Sequence, residues 1–139
     1  MSAPLRQARA MVAGMDPALD PATYVFVATP DADRLSALLP HALGLFREAE
    51  GTTLVVSAEI AAVQGFGDGL PMRRITLQVH SALDGVGLTA AVSQALAARD
   101  IPCNVFAAYH HDHVFVPAAQ ADDALRALEV LQQEALAAG

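Results

Sequence analysis

The chain has 139 residues, 54% apolar, with a net charge of −7, a single cysteine and no tryptophan. That length supports one domain, or two very small ones on a common core. Its eight basic residues, all arginine, are scattered; with no basic stripe to meet a phosphate backbone, nucleic acid is an unsuitable partner. One cysteine cannot form an internal disulfide, and no stretch approaches the 18 or so apolar residues of a membrane span.

Residues 4–13 have weak helical periodicity, with Leu5, Ala8, Met11 and Val12 on one side. We read them as a peripheral helix or an ordered arm. Arg6 and Arg9 sit near the start, but no apolar run of signal length follows them, so the expected location is cytoplasmic. Gly14 ends the segment, and Pro17, Asp20 and Pro21 form a stiff connector. Residues 23–28 are β-branched and aromatic almost throughout, the pattern of a strand. Pro30 and Asp31 break it. A short helix over 34–39 runs into Pro40. Residues 43–48 and 52–57 form two strands joined through Glu50 and Gly51, and 59–64 a short helix. The sharpest break in the chain is Gly65, Gly67, Asp68, Gly69 and Pro71.

Beyond the break, Ile75, Leu77 and Val79 alternate with Arg74, Thr76, Gln78 and His80, the period of a strand with one buried face. A turn carrying Gly85 and Gly87 follows. Leu88, Ala91, Val92, Ala95 and Leu96 recur at helical spacing until Asp100 and Pro102. Residues 103–109 form a strand, His110 to Asp112 a tight connection, and 114–116 a third strand closed by Pro117. Residues 121–138 form a helix with Leu125, Leu128, Leu131 and Ala135 on one face, and Asp122 and Asp123 suit its N-terminal end. The order is β-α-β-β-α, the core of an α+β, ferredoxin-like unit. Residues 22–65 show the same order, which suggests a degenerate internal duplication. The expected domains are an arm over 1–21 and modules over 22–70 and 71–139. Each half lacks its last strand, so the halves are expected to share or abut antiparallel sheets.

The stretch V-H-S-A-L-D-G-V-G-L-T-A-A-V and the I-P-C-N-V entry to the next strand carry a resemblance. The second half resembles the ACT domain, a small amino-acid-binding regulatory module of β-α-β-β-α-β order, and in particular aspartate-kinase ACT domains. The chain is similar to small stand-alone bacterial proteins made of two such modules. The resemblance is clear over 72–117, weak over 22–65 and absent over 1–20. It implies an effector held between two modules, against the turn and helix start after the first strand. Carried over, this points to Ser81, Asp84, Val86, Gly87, Leu88 and Thr89, with Asn104 and Val105 on the neighbouring strand. The family's Ser/Thr-Ser-Glu hairpin is replaced by Tyr109-His110-His111-Asp112-His113, which leaves the ligand's identity open.

The residues support such a site by themselves. A helix N-terminus offers unpaired N–H groups to a carboxylate. Gly85 and Gly87 permit a close approach to backbone, and the Asn104 amide suits an amino or carboxylate group. The same residues also serve plain structure. The glycines suit a tight turn, Ser81 with Asp84 a capping box, and Asn104 a strand start. A second chemistry is a metal site, for which His80, His110, His111 and His113 with Asp112 supply legitimate ligands. His41 beside Pro40 reads as a surface residue, Cys103 as a small hydrophobe, and Arg47, Glu48 and Glu50 as a solvated strand edge. Arg73 and Arg74 suit surface ion pairs. Phe106 and Phe115 fall on the side of the sheet away from the helices, so something must cover that side.

The expectation is a homo-oligomeric, two-module protein that binds a small metabolite, an amino acid or related carboxylate, with no catalysis and no cofactor. The alternatives are a metal-binding protein or enzyme centred on the histidine turn, and a structural oligomerisation module.

Overall fold

The computed structural model describes residues 4–138. In chain order the elements are β1 (Leu5–Gln7), α1 (Ala8–Ala13), β2 (Ala18–Thr29), α2 (Ala32–Leu38), β3 (Gly44–Glu48), β4 (Gly51–Ser57) and α3 (Ala58–Val63). They continue as β5 (Met72–Leu77), β6 (Ser81–Val86), α4 (Leu88–Ala97), β7 (Asn104–Ala107), β8 (Asp112–Pro117) and α5 (Ala121–Ala137). Short 3-10 turns over Leu39–His41 and Ala118–Gln120 complete the set. Among the described residues no helix is long and apolar enough to cross a membrane.

The chain forms two compact units. One runs from Pro21 to Met72; the other joins the chain before it, through Asp20, to everything from Arg73 onward. In the inserted unit β4 lies between β3 and β2, antiparallel to both. Alternation along β2 and β4 turns Val25, Val27, Leu54 and Val56 inward, where Leu38 of α2 and Ala61 of α3 cover them. Both helices begin on side-chain caps. Asp31 Oδ2 accepts from the Arg34 amide at 3.0 Å, and Ser57 Oγ from the Ile60 amide at 3.2 Å. Pro40 ends α2 in a 3-10 turn, as its missing amide dictates. This unit is β-α-β-β-α, the order expected of residues 22–65.

The second unit holds the larger core. β8 lies between β5 and β7, and Ile75, Leu77, Val114 and Val116 pack beneath α4 and α5. Leu88, Val92 and Leu96 form the buried face of α4. On α5 the fully buried positions are Ala121, Ala124, Ala127 and Leu128, while Leu125, Leu131 and Ala135 flank them half-buried. Alanine next to the leucine stripe lets the other helices approach α5 closely. Helix α4 ends on Asp100, which takes the left-handed conformation (φ 57°) while the Ile101 amide reaches back to the Leu96 carbonyl at 3.0 Å.

Two elements differ from the sequence expectation. The segment read as a peripheral helix or ordered arm carries Met11, 1% exposed, into this core, where α1 packs on α5 and α4, and Met15 just beyond it is 0% exposed in the same cluster. Its weak amphipathic pattern gave no sign of this, because two methionines and several alanines make only a faint stripe. The stretch read as a turn, Ser81 to Val86, is strand β6, paired in parallel with β1. β5 stops at Leu77; the Gln78 amide then bonds the Met15 carbonyl at 2.7 Å, and the His80 carbonyl accepts from the Leu5 amide at 2.9 Å. The N-terminal segment and the chain after β5 thus satisfy each other's backbone, which no local pattern encodes.

Candidate functional site

Beside β6 and the first turn of α4 lies a cavity of about 300 Å³, lined by Met11, Ser81 to Leu83, Gly85 to Thr89, Ala107, Ala108 and Asp112. Five of the eight site residues expected from the sequence line it: Ser81, Val86, Gly87, Leu88 and Thr89. Three do not. Asp84 is exposed and pairs with Arg6 at 3.1 Å. Asn104 and Val105 are placed away by strand geometry. β7 and β8 pair Asn104 with Phe115, Val105 with Val114, Phe106 with His113 and Ala107 with Asp112. Partners across a ladder share a face, so Asn104 lies on the face of Phe106 and Phe115, opposite the helices. Val105 is on the helix side but packs into the core, and Ala107 and Asp112 reach the cavity instead. The rings of Phe106 and Phe115 meet edge to face, with centroids 6.4 Å apart, on the side of the sheet expected for them.

The glycines that line the cavity also make room for the protein's own chain. Gly87 is the N-cap of α4 at φ 108°, and a Cβ built on it would stand 2.6 Å from the Ala8 Cβ. A Cβ on Gly85 would meet the Met11 sulfur at 3.2 Å and the Arg6 Cα at 3.3 Å. Ser81 and Asp84 form no capping box: no side chain caps α4. Among the described residues the first amides of α4 therefore have neither an intrahelical partner nor a side-chain cap.

Asp112 is the polar centre of the cavity wall. It is 9% exposed, and Ser81 Oγ donates to its Oδ2 across a long 3.4 Å. Burial pushes its carboxyl above the usual range, while the Ser81 hydrogen bond and the nearby His111 pull it back. On the other face of β8, His113 Nδ1 and Thr76 Oγ1 are 3.1 Å apart, and Arg74 pairs with Asp20 at 2.7 Å. Burial, the Arg74 charge and His111 together hold the His113 imidazole below its ordinary pKa. A depressed histidine stabilises the fold above its unfolded pKa, about 6.5, and that stability is lost as pH falls through the folded value. Replacing His113 with glutamine should therefore shrink the drop in melting temperature between pH 7.5 and 5.5. An unchanged drop would show that another group sets the acid sensitivity.

Among the described residues no three His, Cys, Asp or Glu side chains come together as a metal site. Alternation along β8 separates the candidates. Asp112 points to the helix side with Val114 and Val116, and His113 to the other with Phe115. His110 stacks near His80 (5.7 Å between centroids), Tyr109 (5.1 Å) and His111 (6.4 Å), an aromatic cluster rather than a coordination shell. Cys103 is half-buried against the core, with its thiol raised by burial. The residues sequence reasoning missed are Met11, Ala82, Leu83, Ala107 and Ala108. Asp112 it named only as a metal ligand, although a carboxylate opening an apolar V-F-V strand was a visible signal.

The ACT domain model of one family variant matches residues 5–73 and that of another residues 70–130. The first match begins at residue 5, so the N-terminal segment, where the sequence showed no resemblance, belongs to the family pattern. Among curated proteins none matches the chain. Among solved structures it is similar to a Vibrio cholerae protein of unknown function, described as a possible transport protein. The two are 41% identical, with a TM-score of 0.79, covering 89% of this chain and 94% of that one. It also has the fold of the ligand-free regulatory subunit of Thermus thermophilus aspartate kinase (15% identity, TM-score 0.64, 85% and 97% covered). The Thermus flavus subunit is alike at 16% identity and TM-score 0.62, with 83% and 95% covered. With two consecutive matches running from residue 5 to residue 130, the chain belongs to the ACT-domain family.

Proposed function

We propose that this protein is a small-molecule sensor or regulatory module without catalytic activity, and that its ligand is an amino acid. The observation that carries the reading is the 300 Å³ cavity against β6 and the first turn of α4. That is the lower end of the size range of small-molecule sites. Its wall offers unpaired helix amides to a carboxylate, Asp112 and Ser81 to polar groups, and Met11, Leu83, Val86 and Leu88 to an apolar body. Membership of a family of amino-acid-binding regulatory modules, and a fold shared with aspartate kinase regulatory subunits, support the same reading.

The test is a calorimetric screen of the twenty amino acids. At least one should bind at millimolar concentration or below, and Val86→Trp should abolish it. Val86 is 78% exposed and lines the cavity, so its replacement fills the space without disturbing the core. No binding by any amino acid overturns the amino-acid reading. A homo-oligomer is part of the proposal, since the family holds effectors between modules; light scattering giving the mass of one chain removes that part.

A further inference from the structure

We propose that Asp112 selects the guest: the cavity takes small molecules that carry a cationic amine and rejects the hydroxy acid of the same skeleton. This inference rests on the ligand-binding reading above and names the group that decides specificity within it.

An ionised carboxylate offers about four acceptor positions. Taken out of water it is costly unless those positions are filled. Asp112 is 9% exposed, and among the described residues its side chain has one hydrogen bond, from Ser81 Oγ at 3.4 Å. That distance is well beyond the usual 2.7–2.8 Å of a hydroxyl donor. Among the described residues no arginine pairs with it, Arg6 and Arg74 meeting Asp84 and Asp20 instead, and His111 acts on it only as a nearby charge, without a hydrogen bond. The remaining acceptor capacity adjoins the cavity, whose apolar wall includes Met11, Leu83, Val86, Leu88 and three alanines. An ammonium group carries the donors and the charge that such a carboxylate lacks. A hydroxyl in its place offers one neutral donor, and a keto oxygen offers none and sets acceptor against acceptor.

A purely structural Asp112, present to anchor Ser81, would show no such preference, so the two roles separate experimentally. Wild-type protein is titrated in a calorimeter with L-valine, L-leucine and L-methionine, and with the 2-hydroxy acid of each. At least one amino acid should bind about 10- to 100-fold tighter than its hydroxy acid, the range of a hydrogen bond to a charged group. Asp112→Asn, which keeps the shape and an acceptor for Ser81, should lose that preference by weakening the amino acid alone. Comparable affinities for amino and hydroxy acid in the wild-type protein would overturn the role of Asp112 and leave ligand binding intact. Absence of heat with all six compounds would overturn the role of Asp112, and the screen of all twenty amino acids then decides separately whether ligand binding stands. The wild-type comparison needs no variant, so the inference remains testable if Asp112→Asn fails to fold.

Discussion

Replacing Gly87 with alanine is expected to lower unfolding stability by about 2–6 kcal/mol, measured by denaturant or thermal unfolding. Two costs add. At φ 108° a residue with a Cβ is strained by about 1–3 kcal/mol. The new methyl would also stand 2.6 Å from the Ala8 Cβ, where real carbons do not approach, so β1 and the start of α1 must shift. Overpacking of that kind costs about 1–3 kcal/mol. A loss below about 0.5 kcal/mol would mean that the N-terminal segment does not sit against the start of α4. The double variant Gly87→Ala with Ala8→Gly offers a second reading. It should recover the packing share of the loss and leave the backbone share. The result also bears on ligand tests, because a bulky residue at Gly87 would abolish binding by displacing β1, whatever the cavity does. Val86 is the cleaner place to obstruct the site.

Truncating Met15 to alanine is expected to cost about 2–5 kcal/mol, the range for large-to-small changes in a closed core. Met15 is 0% exposed and packs in one cluster with Ile75, Leu77, Val79 and Leu128, residues 60 or more positions away in sequence. Its carbonyl also anchors the Gln78 amide where β5 ends. If residues 4–20 were an arm lying on the surface, the change would cost under 0.5 kcal/mol. The measurement therefore decides whether the second unit is complete without the start of the chain. A loss in the expected range also predicts that a fragment beginning at Arg73 does not reach native stability.

The chain's organisation was legible because its elements are marked locally. Ile75, Leu77 and Val79 alternate, Leu88, Val92 and Leu96 recur at helical spacing, and Pro40, Gly51 and Pro117 punctuate. The β-α-β-β-α order of the first half follows from such marks, and so does the second half apart from β6; the G-V-G-L-T stretch announces a chain turning into a helix. What tertiary structure decided is who meets that stretch. β6 exists only because Leu5 to Gln7 come alongside it, and the space at Gly85 and Gly87 is taken by Arg6, Ala8 and Met11, 74 or more residues earlier. A glycine leaves the same letter in a sequence whether it admits a ligand or another stretch of backbone. Asn104 does not line the cavity because of the parity of its strand, which fixes faces only once the register with β8 is known. Asp112 gained its place the same way, through pairing that turns it inward beside Ala107. Local periodicity sets elements because helices and strands are built from neighbours. Cavities are built from residues distant in the chain, and their contents depend on packing that only the folded core determines.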